Sequence, residues 1–363
     1  MKIFVMPCNN DGCTHYRINK PYKALNDKGV IFFENKDLET PEALQYLEEC
    51  DYILCRQYHD KSIKVLDNLF NSKGANEEGK TKKLKVILDM DDYVFDIDPY
   101  SESYGVFGTE EIKHGDKWLW KDGDNINIKK NREYNESLKW FLRRADILTV
   151  STERLKERYK IYNDNIVVVP NAIDPKDWIV PNFKKHKKIR IGWTGGNSHY
   201  KDWYGIKDDI ERIMKEYPQI QLVIGGSMFE GIFKNIDKDR IEYWNWIDPT
   251  GHGYRVSMMD LDLAIVPLGS SMFNSNKSCI KFYEFSALKI PTICSDVAPY
   301  KDECPDESLA YRFYPRLKHL IENTKEAKEL GEKNYKWVMA NRNQEQISKE
   351  LKDKLCQYLK EQR

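Results

Sequence analysis

KSCIKFYEFSALKIPTICSDVAPY, residues 277–300, decides how the rest of this 363-residue chain is read. Ile280, Tyr283, Ala287 and Leu288 recur near helical spacing, which leaves Lys277, Lys281 and Glu284 together on the remaining face. Two cations about one turn apart suit a diphosphate. An ionised carboxylate three residues past Lys281 can accept hydrogen bonds from two vicinal hydroxyls, because both of its oxygens are acceptors. A surface helix carrying an ordinary i,i+3 Lys–Glu pair has the same pattern, so these residues alone leave both readings open. The flanking sequence adds context. Leu288-Lys289-Ile290-Pro291 ends the helix, Thr292-Ile293-Cys294 is a short β-prone run, and Ser295 to Tyr300 is a polar, Pro-containing turn. The charged face therefore belongs to a helix–strand junction.

Outward from this stretch, strand-like runs alternate with helical patterns. They fall at 2–6, 30–34, 52–56, 85–89, 147–151 and 166–170, then again at 188–193, 221–225, 241–244, 263–267, 291–295 and 308–312. Such alternation predicts an α/β protein with parallel sheets in two consecutive units. Periodicity lapses after Asn171-Ala172-Ile173-Asp174-Pro175, in the Lys-rich 176–188, which marks the boundary. Residues 71–83, NSKGANEEGKTKK, read as a surface loop. Between 98 and 137, Tyr100, Tyr104, Phe107, Trp118, Trp120 and Tyr134 alternate with glycines and charges without a clean period, as in an irregular insertion that either covers an acceptor or pins itself to its own domain.

Taken together, 277–300 resembles the donor-binding helix and following strand of GT-B glycosyltransferases, where a Lys-x-x-Glu pair meets the diphosphate and ribose of a nucleotide sugar. VVVPNAID at 167–174, preceded by TVSTERL at 149–155, is similar to the interdomain passage of the retaining GT-B enzymes related to glycogen and sucrose synthases, of phage or bacterial type. The resemblance implies two Rossmann-like domains facing each other across a cleft. Residues 1–175 would form the acceptor-side domain, 176–335 the nucleotide-sugar domain, and 336–363 a terminal helix crossing back to the first. It further implies retaining, metal-independent transfer of a hexose, glucose foremost, from a nucleotide diphosphate sugar such as a UDP-sugar to an acceptor hydroxyl, with no cofactor beyond that co-substrate.

The candidate site residues follow. IRIGWTGGN at 189–197 is a strand entering a Gly-Gly turn ahead of a helix; Gly195 and Gly196 let backbone amides approach a phosphate. The family usually places an Arg and a downstream Lys here. This chain offers Lys201 as the Lys but no Arg beside the glycines, and His199 stands nearest that role. Lys281 and Lys201 are the expected stabilisers of charge on the leaving diphosphate; Lys277 and Glu284 join them in donor binding. The family's Glu-x7-Glu pair is broken at its first position, since Asn276 lies eight residues before Glu284. Trp246 and Ile247, in YWNWID at 243–248, are the candidates for base recognition, although clustered aromatics also serve packing.

In the first domain, Asp11-Gly12-Cys13-Thr14-His15-Tyr16-Arg17 follows strand one and resembles the GT-B glycine loop, which places Gly12, His15 and Arg17 on the acceptor side; an ordinary capped β–α turn is the alternative. Asp89, Asp91 and Asp92 follow a strand and invite comparison with a metal site. The resemblance instead assigns Asp91 and Asp92 to the acceptor, with Asp92 as general base or orienter of the acceptor hydroxyl.

Bulk properties exclude several classes. Lys plus Arg and Asp plus Glu both total 58, so no whole-molecule field draws nucleic acid or an anionic membrane. Residues 1–180 carry 28 basic and 32 acidic side chains, a net of −4, leaving 30 and 26, or +4, for the remainder. The N-terminus reads as a first strand rather than a signal peptide, and no apolar run reaches membrane-spanning length. Eight cysteines at 8, 13, 50, 55, 279, 294, 304 and 356, without a Cys-x-x-Cys pair, point to reduced thiols and a cytoplasmic location. Cys8, Cys13 and His15 match no zinc-knuckle spacing. The expected partners are a nucleotide sugar and either a hydroxymethylated DNA base or a cell-surface glycan as acceptor. A non-catalytic nucleotide-sugar or phosphate-binding protein on the same scaffold is the rival reading.

Overall fold

The computed structural model describes residues 1–6, 10–23, 25, 30–32, 40, 45, 47, 49–56, 84–179, 187–227 and 231–361. Cys8, the loop at 71–83 and part of the boundary segment, 180–186, lie outside the described residues. Two units emerge: residues 1–92 with 133–170 and 345–363, and residues 93–132 with 171–344.

In the first unit the chain runs through β1 (Ile3–Val5), β2 (Val30–Phe32), β3 (Tyr52–Arg56) and β4 (Lys85–Met90). A hairpin of the second unit intervenes, β5 (Ile112–His114) against β6 (Lys117–Trp120), before β7 (Ile147–Val150) and β8 (Ile166–Val168) complete the first sheet. Its order is β2-β1-β3-β4-β7-β8, and every pairing is parallel. The near-continuous apolar runs of β1, β3, β4 and β7 are what a parallel sheet covered on both faces requires. The last helix, Gln344–Glu361, belongs to this unit, and the buried Tyr52 hydroxyl donates to the Leu355 carbonyl at 3.0 Å.

The second sheet repeats the plan with β9 (Ile189–Gly195), β10 (Ile220–Gly226), β11 (Ile241–Trp244), β12 (Leu263–Val266), β13 (Thr292–Ser295) and β14 (Leu309–Ala310). Its order is β11-β10-β9-β12-β13-β14, all parallel. Strand order reverses between β9 and β12, so the loops leaving these two strands open a crevice at the carboxyl edge of the sheet, where α/β folds take ligands. Trp193 of β9 and Trp203 of helix Tyr200–Glu216 meet edge to face within the core, their ring centroids 5.7 Å apart. Helix Thr324–Asn341 packs on helix Ile280–Ala287 and is part of this unit.

Residues 93–132 are more ordered than the aromatic spacing predicts. They hold a helix at Tyr104–Phe107 and the β5–β6 hairpin, and Ile128 opens the long helix Ile128–Arg144. The hairpin is short and carries glycine and charge at its turn, so no period of two builds up; Leu138, Phe141 and Leu142 do carry the helix period but sit at or beyond the end of the stretch read as irregular.

Candidate active site

Helix Ile280–Ala287 ends in a Schellman motif: the amide of Ile290 donates to the Phe285 carbonyl at 3.1 Å and that of Lys289 to Ser286 at 3.0 Å, with Lys289 at φ 60°. Pro291 then sets off β13. The helix is more deeply buried than a one-sided charged face would allow, since every residue from Phe282 to Ala287 is buried, Glu284 included. Lys277 stands ahead of the helix rather than on it, in the turn that follows Met272–Ser275.

The side chain of Lys281 runs under the Gly-Gly loop. Its Nζ donates to the Thr194 carbonyl at 3.0 Å and lies 5.2 Å from the centroid of the Trp193 ring. A Cβ on Gly195 would stand 2.4 Å from the Trp193 ring and 2.7 Å from Lys281 Nζ, so glycine at this position is what admits the ammonium. A Cβ on Gly196 would meet nothing within 4 Å. After a short turn at Asn197–His199, helix Tyr200–Glu216 presents its N-terminus beside these glycines.

His199 and Asp202 connect this loop to the loop after β12. His199 Nδ1 is 2.7 Å from Asp202 Oδ2, while Asp202 Oδ1 accepts from the Gly269 amide at 2.7 Å and from Asn274 Nδ2 at 3.3 Å. Both residues are buried. Burial, together with Lys277 and Lys281, drives the His199 imidazole down to about 3 despite the opposing pull of Asp202, so it is neutral. Glu284 Oε1 lies 3.3 Å from His252 Nε2, on the helix that follows β11. The Asn276 amide donates to the Met272 carbonyl at 2.7 Å and is buried. Trp246 is 57% exposed and Ile247 half-buried in the segment after β11.

Lys201 sits differently. Its ammonium makes a 3.0 Å ion pair with Asp98 and lies 5.1 Å from the centroid of the Tyr100 ring. The site thus gathers Gly195, His199, Lys277 and Lys281 at the crevice, with Glu284 one turn along the helix from Lys281, and holds Lys201 on the segment carrying Asp98. Asp202 and His252 are missed by reading the sequence alone. The i,i+3 spacing of His199 and Asp202 at a helix start is a signal for the first; nothing local marks Asp98.

In the first unit, Asp11 is a helix N-cap, accepting from the Thr14 amide at 2.7 Å; Gly12 opens that turn, and a π-helical stretch covers His15–Asn19. Arg17 faces the interior. It is 1% exposed, pairs with both oxygens of Asp89 at 3.1 and 2.7 Å, and also donates to the Val169 carbonyl. Burial opposes its charge, yet Asp89 and Asp91 hold the guanidinium above its ordinary value. Arg17 therefore braces this sheet. Asp89 also accepts from Thr149 Oγ1 at 2.6 Å. His15 is buried and Asp91 half-buried; the Asp91 and Asp92 backbone is pinned by Ser151 Oγ at 3.2 Å and the Tyr159 hydroxyl at 2.7 Å. Arg56, at the end of β3, forms an ion pair with Asp11 at this sheet's own reversal point, between β1 and β3. Among the described residues, no group of three or more His, Cys, Asp or Glu side chains is gathered so as to hold a metal ion, and no helix is long and apolar enough to cross a membrane.

No protein-family model matches the sequence, and no curated protein matches it. Solved structures do match. Sucrose-phosphate synthase from Thermosynechococcus elongatus superposes with a TM-score of 0.66 at 13% identity, covering 99% of each chain. HepE of Anabaena, in complex with UDP-glucose, gives 0.61 at 12% identity over 98% of this chain and 100% of its own. A glycosyltransferase from Rickettsia africae gives 0.58 at 12% identity over 99% and 98%. At these identities the likeness establishes the fold: the chain has the GT-B fold, mixed α/β with parallel sheets.

Proposed function

We propose that this protein is a glycosyltransferase that moves a hexose from a nucleoside diphosphate sugar to an acceptor hydroxyl. The observation that carries the reading is the seat of Lys281, its ammonium against Gly195 and the Thr194 carbonyl at the crevice of the second sheet, with Glu284 one turn further along the same helix. A phosphate-binding loop needs glycine, amide donors and a cation together, and ribose needs an acceptor nearby; these residues supply both. HepE, which shares the fold, was crystallised with UDP-glucose, and this is the ground for choosing uridine and glucose first.

Chemistry in this reading is electrostatic. As the bond between the anomeric carbon and the diphosphate oxygen breaks, Lys281, Lys277 and the loop amides stabilise the charge that builds on the leaving group. The acceptor oxygen bonds to the anomeric carbon on the same face, and its proton passes to a diphosphate oxygen. Retention and metal independence rest on the family resemblance. So does the acceptor side, where Asp91, Asp92, Gly12 and His15 are proposed to orient the acceptor. A glycan suits the slightly acidic first half of the chain better than a DNA duplex, which calls for a basic stripe.

Asn276 favours the rival, a binding protein without turnover, because its amide is committed to the Met272 carbonyl where the family has a Glu. Turnover separates the two. The protein incubated with UDP-glucose should release UDP slowly in water and faster with an acceptor; saturable binding without release would identify the binding protein.

A further inference from the structure

We propose that His199 is a neutral hydrogen-bond acceptor for a hydroxyl of the transferred sugar, held in the required tautomer by Asp202. The inference rests on the donor-site reading above and assigns within it a group that contacts the sugar rather than the diphosphate.

Asp202 sets the tautomer of the ring. Its carboxylate is 5% exposed, and each oxygen is already committed as an acceptor, Oδ1 to Gly269 N–H and Asn274 Nδ2, Oδ2 to His199. An ionised carboxylate donates nothing, so the proton in the His199–Asp202 contact belongs to Nδ1. A neutral imidazole protonated at Nδ1 carries a lone pair at Nε2. Among the described residues no side chain or backbone group donates to that nitrogen. The ring is also fixed in place: the Trp193 ring meets it edge to face, with centroids 5.5 Å apart.

Lys277 and Lys281 act on His199 electrostatically and oppose a second proton on the ring. A diphosphate oxygen is itself an acceptor and is repelled by a bare ring nitrogen, so His199 does not replace the Arg that the family places beside the glycines. A sugar hydroxyl, by contrast, is a donor, and the lysines and loop amides around it offer donors only. Asp202 is the positioning residue, and it also joins the loops after β9 and β12, whose strands flank the crevice.

Asp202→Asn tests this with little change in shape. The amide oxygen can keep Gly269 and Asn274 while the amide nitrogen donates to His199 Nδ1, which moves the ring proton to Nε2 and turns the acceptor into a donor. His199→Asn provides a second variant that removes Nε2 altogether. Calorimetric Kd values for UDP and for UDP-glucose are measured on the wild type and both variants, with ¹⁵N NMR of the His199 ring to report which nitrogen is protonated.

The expected result is UDP affinity within about twofold of wild type, a ratio of UDP-glucose to UDP Kd that rises by about three- to tenfold as one neutral hydrogen bond is lost, and an Nδ1-protonated ring only in the wild type. An unchanged ratio, or equal weakening of UDP and UDP-glucose, would overturn the assignment. A wild type that binds neither ligand would refute the donor-site reading itself, and the inference with it.

Discussion

Lys281 Nζ and the Thr194 carbonyl, 87 residues apart in sequence, meet at 3.0 Å, so an ammonium from helix Ile280–Ala287 reaches the glycine loop. In the proposed reaction that ammonium meets the leaving diphosphate. Lys281→Ala should lower turnover by about 10²- to 10³-fold, as loss of one preorganised charge-stabilising donor does. Steady-state kinetics beside an unchanged far-UV circular dichroism spectrum provide the check; wild-type kcat in a folded variant would remove Lys281 from the site.

Glu284 makes a different contribution. It lies 3.3 Å from His252 Nε2 and is buried, so it is the proposed acceptor for ribose hydroxyls. Glu284→Gln should raise the Kd for UDP on the order of 10- to 100-fold, the range for hydrogen bonds to a charged group, and should change kcat far less. Calorimetry separates the two effects.

The paired glycines should behave unequally. An added methyl at Gly195 meets Trp193 at 2.4 Å and Lys281 at 2.7 Å, whereas one at Gly196 meets nothing within 4 Å. Gly195→Ala should cost about 1–3 kcal/mol of stability by overpacking and impair donor binding, while Gly196→Ala should leave the thermal midpoint close to wild type. Differential scanning fluorimetry of the two variants makes the comparison.

His199 also predicts a pH dependence. Burial and the two lysines lower its folded value from 6.5 to about 3. Between these limits the unfolded chain binds the proton and the folded chain does not, so this group's contribution is present above about pH 6.5 and is lost as pH falls toward 3. Urea midpoints taken at pH 7 and about pH 5 should fall more for the wild type than for His199→Asn. Equal slopes would show that the imidazole accepts a proton while buried.

How much of this was legible in the sequence depends on whether a feature is local. The strands of both sheets stand out because parallel strands covered on both faces need unbroken apolar runs, and the close of the donor helix at Leu288–Pro291 is written in four consecutive residues. Spacing alone extends the periodic face to Lys277, beyond the turn where the helix begins. Spacing alone leaves Glu284 equally compatible with a surface ion pair, because nothing local reveals that tertiary packing, with Thr324–Asn341 foremost, buries its helix. The ion pair of Arg17 with Asp89 spans 72 residues, so no local pattern reveals it. Asp98 with Lys201 is a contact of the same kind, 103 residues apart.

The cluster around Lys281 is proposed to activate a nucleotide sugar for transfer. The most direct measurement incubates the protein with UDP-glucose and a panel of glycan and DNA acceptors, then quantifies released UDP and glycosylated product by mass spectrometry. A product that gains one hexose in amounts equal to the UDP released is expected, with both nearly abolished in Lys281→Ala. Saturable binding of UDP-glucose without UDP release, in water or with any acceptor, would contradict the proposal.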